Sequence, residues 1–133
     1  MDSKQLNYIG FGFSVLHLVE QISYCFSIAY ATIYLRAVDF YVSLAMSASL
    51  FTIDYVISLA LVKKKIWRGI KNTITAVYIT DIILIVAALL PVLSFYWPQT
   101  GFSERIPEFV LIVAMIALDI IKKRHLFNRS MSA

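Results

Sequence analysis

The chain has 133 residues, 60% of them hydrophobic and 15% charged, with a mean hydropathy of +0.78. A soluble domain is nearer to about 45–50% apolar and about 25% charged, so the composition excludes a disordered or collagen-like chain and argues against a soluble globule. A single cysteine, Cys25, excludes an internal disulfide framework and a Cys-rich zinc site.

A membrane-crossing helix needs about 20 mostly apolar residues. The chain offers four such segments in order, at about 8–35, 40–62, 72–95 and 106–121. Arg36 and Asp39 bracket a short turn after the first. Lys63-Lys64-Lys65 stops the second, Tyr96-Trp97-Pro98 ends the third, and Lys122-Lys123-Arg124 closes the fourth, the shortest. Membrane strands would alternate apolar and polar residues, whereas Ile82-Ile83-Leu84-Ile85-Val86-Ala87-Ala88 does not. Ala29-Tyr30-Ala31 resembles a signal cleavage site. The preceding stretch is too long and carries His17, Glu20 and Gln21, so it reads as a retained span. The predicted fold is an all-α, integral membrane four-helix bundle forming a single domain, 1–133.

Basic residues set the expected orientation. Ten of the twelve Lys and Arg fall on one side if there are four spans, with only Arg36 and Arg105 on the other. The positive-inside rule makes that side cytoplasmic, with both termini on it, and predicts a multi-pass protein of the cell membrane. Tyr96, Trp97 and Phe102 are expected outer interfacial anchors and Trp67 an inner one. Net charge is +4, but these cations flank spans, which argues against a nucleic-acid partner. Lys63, Lys64, Lys65, Arg68 and Lys71 face anionic lipid heads instead, with Ile66, Trp67 and Ile70 interleaved.

Each predicted crossing contains an acid: Glu20, Asp54, Asp81 and Asp119. A carboxylate at a helix centre costs about 2.5–3.5 kcal/mol on insertion scales, and intramembrane acids mark ion or proton routes by default. Counted from span midpoints, the four fall in a layer roughly one helical turn thick. Glu108 lies at the mouth of the fourth span. Ser14, His17, Gln21 and Tyr24 line one face of the first segment. Ser43, Ser47, Asp54 and Ser58 line one face of the second, where Ala45 and Ser49 add small residues for close packing. Tyr78 precedes Asp81 by three residues, and Asp119, otherwise almost alone on its span, is close enough to Lys122 and Lys123 to read as an interfacial salt-bridging residue. His17 is the only cation expected inside the layer, three residues from Glu20. Pro91 predicts a kink in the third span.

No H-E-x-x-H, C-x-x-C, EF-hand, Walker or dinucleotide motif occurs, so no metal, cofactor or catalytic set is expected. The expected function is a small oligomeric membrane protein handling protons or cations through Glu20, Asp81, Asp54, His17 and Asp119. The alternative is a non-catalytic subunit of a larger membrane complex, its acids paired with other chains. A lipid-directed intramembrane enzyme ranks third. The expected partners are the bilayer and a second copy or other membrane subunits.

Overall fold

The computed structural model describes residues 2–32, 34, 36–91 and 106–132. Helix α1 is Ser3–Thr32, α2 is Ala37–Lys63, α3 is Lys71–Pro91 and α4 is Ile106–Ser132, with a 3₁₀ turn at Trp67–Ile70 before α3. No strand occurs among the described residues. The first two helices, and the third taken with its 3₁₀ turn, are long and apolar enough to cross a membrane. The expected all-helical class is therefore observed.

The boundaries differ from the expected ones. The first helix starts at Ser3 rather than residue 8 and runs to Thr32; the second extends slightly beyond 40–62 at both ends. Residues 92–105, which include the expected anchors Tyr96, Trp97 and Phe102 and the end of the third span, lie outside the described residues. The described part of α3 ends at Pro91. The largest correction concerns the fourth segment. The helix does not stop at Ile121 but continues through Lys122-Lys123-Arg124 to Ser132. No glycine or proline interrupts this stretch, and cationic side chains near a helix C-terminus interact favourably with its dipole.

Helix α2 closes with a Schellman turn: Ile66 N–H donates to Leu61 O at 3.0 Å and Lys65 N–H to Val62 O at 3.1 Å. Lys65 takes the left-handed conformation, at φ 64°, which glycine usually fills at this position. The 3₁₀ turn then buries Trp67 and Ile70 and exposes Arg68. Trp67 is thus a core residue, not the interfacial anchor expected of it. Its ring meets Phe13 and Tyr78 edge-on, at centroid distances of 6.1 and 6.2 Å.

Helix α1 contacts every other helix, packing most heavily on α2 and α3, while α4 leans chiefly on α2. Between α1 and α2 a serine ladder allows close approach, with Ser27 Oγ and Ser43 Oγ 3.0 Å apart. Ser43, Ser47, Asp54 and Ser58 are all buried as their helical spacing predicts. Ala45 and Ser49 are exposed, because residues two positions apart on a helix face different directions.

Two apolar clusters close the bundle at opposite ends. Toward the chain termini, Phe13, Leu61, Val62, Trp67, Ile70, Ile74 and Leu126 pack together. Toward the α1–α2 turn, Tyr24, Ile28, Ala31, Phe40, Ile85, Ile112 and Met115 do so. The side chains otherwise follow an inside-out pattern. His17, Glu20, Gln21, Asp54, Asp81, Asp119 and Lys122 are buried, whereas large apolar residues such as Phe11, Val56, Ile83, Val113 and Ile121 are exposed.

Candidate functional site

The four acids come from four different helices and meet between the two apolar clusters. His17, on the same face of α1 as Glu20, sits at their centre. Its Nδ1 lies 3.0 Å from Asp81 Oδ2 on α3. Its Nε2 lies 2.7 Å from Asp54 Oδ1 on α2, in a direction that departs from the N–H axis. Both ring nitrogens therefore face carboxylate oxygens. An ionised carboxylate only accepts hydrogen bonds, so a doubly protonated, cationic ring suits both contacts at once. Phe13 and Tyr78 flank the imidazole, with centroids 4.4 and 5.5 Å away.

His17 is not the sole internal cation, as the sequence suggested. Lys122 and Lys123 of α4 turn into the layer. The Lys122 ammonium lies 2.8 Å from Glu20 Oε1, hydrogen-bonds Asp54 Oδ2, and stands 3.6 Å from Asp119 Oδ1. It also lies 4.4 Å from the centre of the Phe51 ring, within cation–π range. Lys123 pairs with Asp119 Oδ2 at 2.7 Å and Asp81 Oδ2 at 3.2 Å, and stands 5.4 Å from the Tyr78 ring centre. Asp119 is thus held by its own helix neighbours, three and four residues on.

The contacts form one connected chain. It runs from Tyr24, whose hydroxyl donates to Glu20 Oε1 at 2.6 Å, through Lys122, Asp54, His17 and Asp81 to Lys123 and Asp119. Ser58 adds a long 3.4 Å hydrogen bond to Asp54. Four carboxylates face two lysines and one histidine, so the layer keeps one negative charge even when His17 is cationic and all four acids are ionised. Glu20 Oε2, both polar atoms of the Gln21 amide and the Tyr78 hydroxyl are buried without a hydrogen-bond partner. Folded proteins leave few such groups, each carrying a desolvation cost of about 1–3 kcal/mol.

Donor atoms of His17, Glu20 and Asp54 lie within 4.8 Å of one another, a spacing that suits a metal ion. The Lys122 ammonium bonds two of these three residues and already supplies positive charge there. Lys63, Lys64, Lys65, Arg68 and Lys71 are all exposed at the termini end of the bundle, away from this layer.

The layer reaches the surface along the α3–α4 seam, and Asp81 also lines a cavity of about 400 Å³ between α1 and α3. A groove of about 350 Å³ between α3 and α4 has apolar walls including Ile82, Val86 and Ile120, with Tyr78, Asp81, Asp119 and Lys123 at its polar end. Lys122 is 1% exposed and Lys123 11%, so the second lysine marks the open edge.

The pairing of Asp119 with Lys122 and Lys123, three and four residues on, was readable in the sequence, whereas the reach of these lysines to Glu20, Asp54 and Asp81 on other helices was not. No protein-family model matches the chain, and no curated protein or solved structure matches it.

Proposed function

We propose that this is an integral, four-span membrane protein that handles protons or monovalent cations through the His17-centred layer, with both termini cytoplasmic. The inside-out distribution of polar and apolar side chains supports insertion, since buried polar faces and apolar outer surfaces suit lipid rather than water. Helix α4 fits the same reading. Its buried charges are paired within the bundle, and Val110, Val113, Leu118, Ile120 and Ile121 face outward. Assigning Lys122 and Lys123 to the interior leaves eight basic residues at the termini end, still far more than Arg36 and Arg105 opposite, so the orientation rule points the same way.

The observation that carries the functional reading is the chain of contacting titratable groups between two apolar clusters, in which the His17 Nε2–Asp54 contact lies off the hydrogen-bond axis. Protons move along such contacts by short exchanges between neighbouring donors and acceptors. Orphaned valences at Glu20, Gln21 and Tyr78 provide alternative partners when the pairs rearrange. Apolar closure at both ends describes an occluded arrangement, so movement requires an opening at one end at a time. The network closes within one chain and needs no second copy to complete it. The accessory-subunit reading drew partly on acids lacking cations of their own, which Lys122 and Lys123 supply within this chain, and partly on small size and short loops, which fit it equally well.

The test is flux. Purified protein in liposomes carrying an internal pH dye should relax an imposed pH gradient, or should move sodium or potassium under a membrane potential. His17→Gln and Asp54→Asn should abolish that movement while the protein still elutes as a single folded species. Wild-type vesicles that match empty ones under both driving forces, for all three ions, overturn the proposal.

A further inference from the structure

The environment of Lys123 is that of a bound ammonium ligand, except that the ammonium belongs to the chain. Two carboxylates from different helices, Asp81 and Asp119, lie at 3.2 and 2.7 Å, and the Tyr78 ring face stands at 5.4 Å. Together they make a cage for a cation with N–H donors. It lies at the polar end of the α3–α4 groove, whose remaining lining is apolar. At this end the Tyr78 hydroxyl lacks a hydrogen bond, and Asp119 Oδ1, on a side chain more than nine-tenths buried, has only the Lys122 ammonium at 3.6 Å.

Lys122 and Lys123 differ in their freedom to leave. Lys122 is enclosed, held by Glu20, Asp54 and Asp119. Lys123 borders the groove, and its flexible four-carbon stem can carry the ammonium along the helix toward the termini end. Its departure would strand neither acid. Asp81 keeps His17 at 3.0 Å and Asp119 keeps Lys122 at 3.6 Å.

We infer that the Asp81–Asp119–Tyr78 cage is a binding site for a lipophilic protonated amine, which enters along the α3–α4 groove and displaces Lys123. Exchange of one ammonium for another conserves the charge of the layer. The N–H donors replace those of Lys123, and the apolar body lies along the groove wall. Lys123 is then a built-in competitor, and the apparent affinity falls with the fraction of time it occupies the cage. The inference names a ligand class for the site proposed above to handle protons or cations and rests on that reading for its purpose. Binding is measured without flux, so the two fail separately.

The probe is naphthylmethylamine, followed by its fluorescence with wild-type protein in lipid nanodiscs and corrected for partition into protein-free discs. Saturable binding is expected, displaced by other lipophilic amines. Lys123→Met keeps the apolar stem and removes the competitor. If Lys123 vacates the cage about a tenth of the time, this variant binds about tenfold more tightly. A gain of affinity cannot arise from misfolding, which protects the test from the weakness of loss-of-function variants. Asp119→Asn should lose binding. The trimethylated naphthyl analogue, which has charge but no N–H, should bind at least about tenfold more weakly than the amine, since the hydrogen bonds to the acids are gone. Lack of saturable binding to both wild type and Lys123→Met overturns the inference. So does unchanged or weakened affinity in Lys123→Met, or equal binding of the trimethylated analogue. Flux that persists while binding fails removes the ligand class and leaves the transport proposal standing.

Discussion

Lys122 and Lys123 are neighbours in sequence, identical in chemistry, and placed in opposite circumstances. The first ends in a sealed interior among three acids from three helices, with an aromatic ring beside it. The second ends between two acids at the edge of a groove. The difference follows from helical geometry: successive residues on α4 point about 100° apart, so one faces α1 and α2 and the other faces α3. The contrast teaches that an ion pair's importance here depends on what remains when it is broken. Removal of Lys122 leaves the buried Glu20 without any cation, whereas removal of Lys123 leaves each of its acids with another.

The largest expected effect is therefore at Lys122. Lys122→Met should destabilise the protein by about 3–5 kcal/mol, the usual penalty for stranding buried charge. Unfolding in a detergent titration measures it, with a loss below that of Lys123→Met breaking the comparison. A second variant separates charge from packing. Combining Lys122→Met with Glu20→Gln and Asp54→Asn keeps acceptors for Tyr24 and His17 but removes two acids together with the lysine. Replacement of a whole buried ionic group is often neutral or better. The triple variant should recover about 2 kcal/mol or more of the single variant's loss while remaining inactive in flux. Recovery of flux along with stability would show that these charges have no part in transport.

Lys123→Met comes next, at about 1.5–3 kcal/mol, the range for hydrogen bonds to charged groups. The same detergent titration reads it. A value equal to that of Lys122 would mean that the groove edge is as closed as the interior, and the exchangeable role assigned to Lys123 would lose its basis.

The acids were legible in the sequence because hydropathy makes a single charge in a long apolar run conspicuous. Their common depth followed from span midpoints, and their convergence from the polar faces of α1 and α2. The lysines were hidden by the same rule that fixed the topology. A basic cluster after an apolar run ordinarily ends a span, so Lys122 and Lys123 were counted with Arg124 and Arg129 as a surface signal. What distinguishes them is the presence of acids on other helices, and that pairing is tertiary. Trp67 was misplaced for a related reason. An indole beside cationic residues ordinarily marks the headgroup level, but here the 3₁₀ turn folds it under Phe13 and Tyr78. Rules based on flanking residues read the surface well and fail where a turn or a long side chain reaches inward.

The smallest expected effect extends the comparison to a pair outside the layer. Arg36 and Asp39, three residues apart across the start of α2, make a 2.5 Å contact between side chains 68% and 34% exposed. Distance alone would rank this pair above every contact of Lys123. Water decides otherwise. In the exposed setting each charge keeps most of its hydration when its partner is lost, and such pairs contribute about 0–1 kcal/mol. Arg36→Gln should thus shift the detergent unfolding curve by less than Lys123→Met, and its small effect should fade as salt rises, because screening acts on exposed charges. The Lys122 and Lys123 effects should hardly respond to salt. If all three variants lost stability in proportion to contact distance and shared one salt dependence, burial would not be the governing variable. The layer would then be an ordinary set of ion pairs, and the distinction between a locked and an exchangeable lysine would disappear with it.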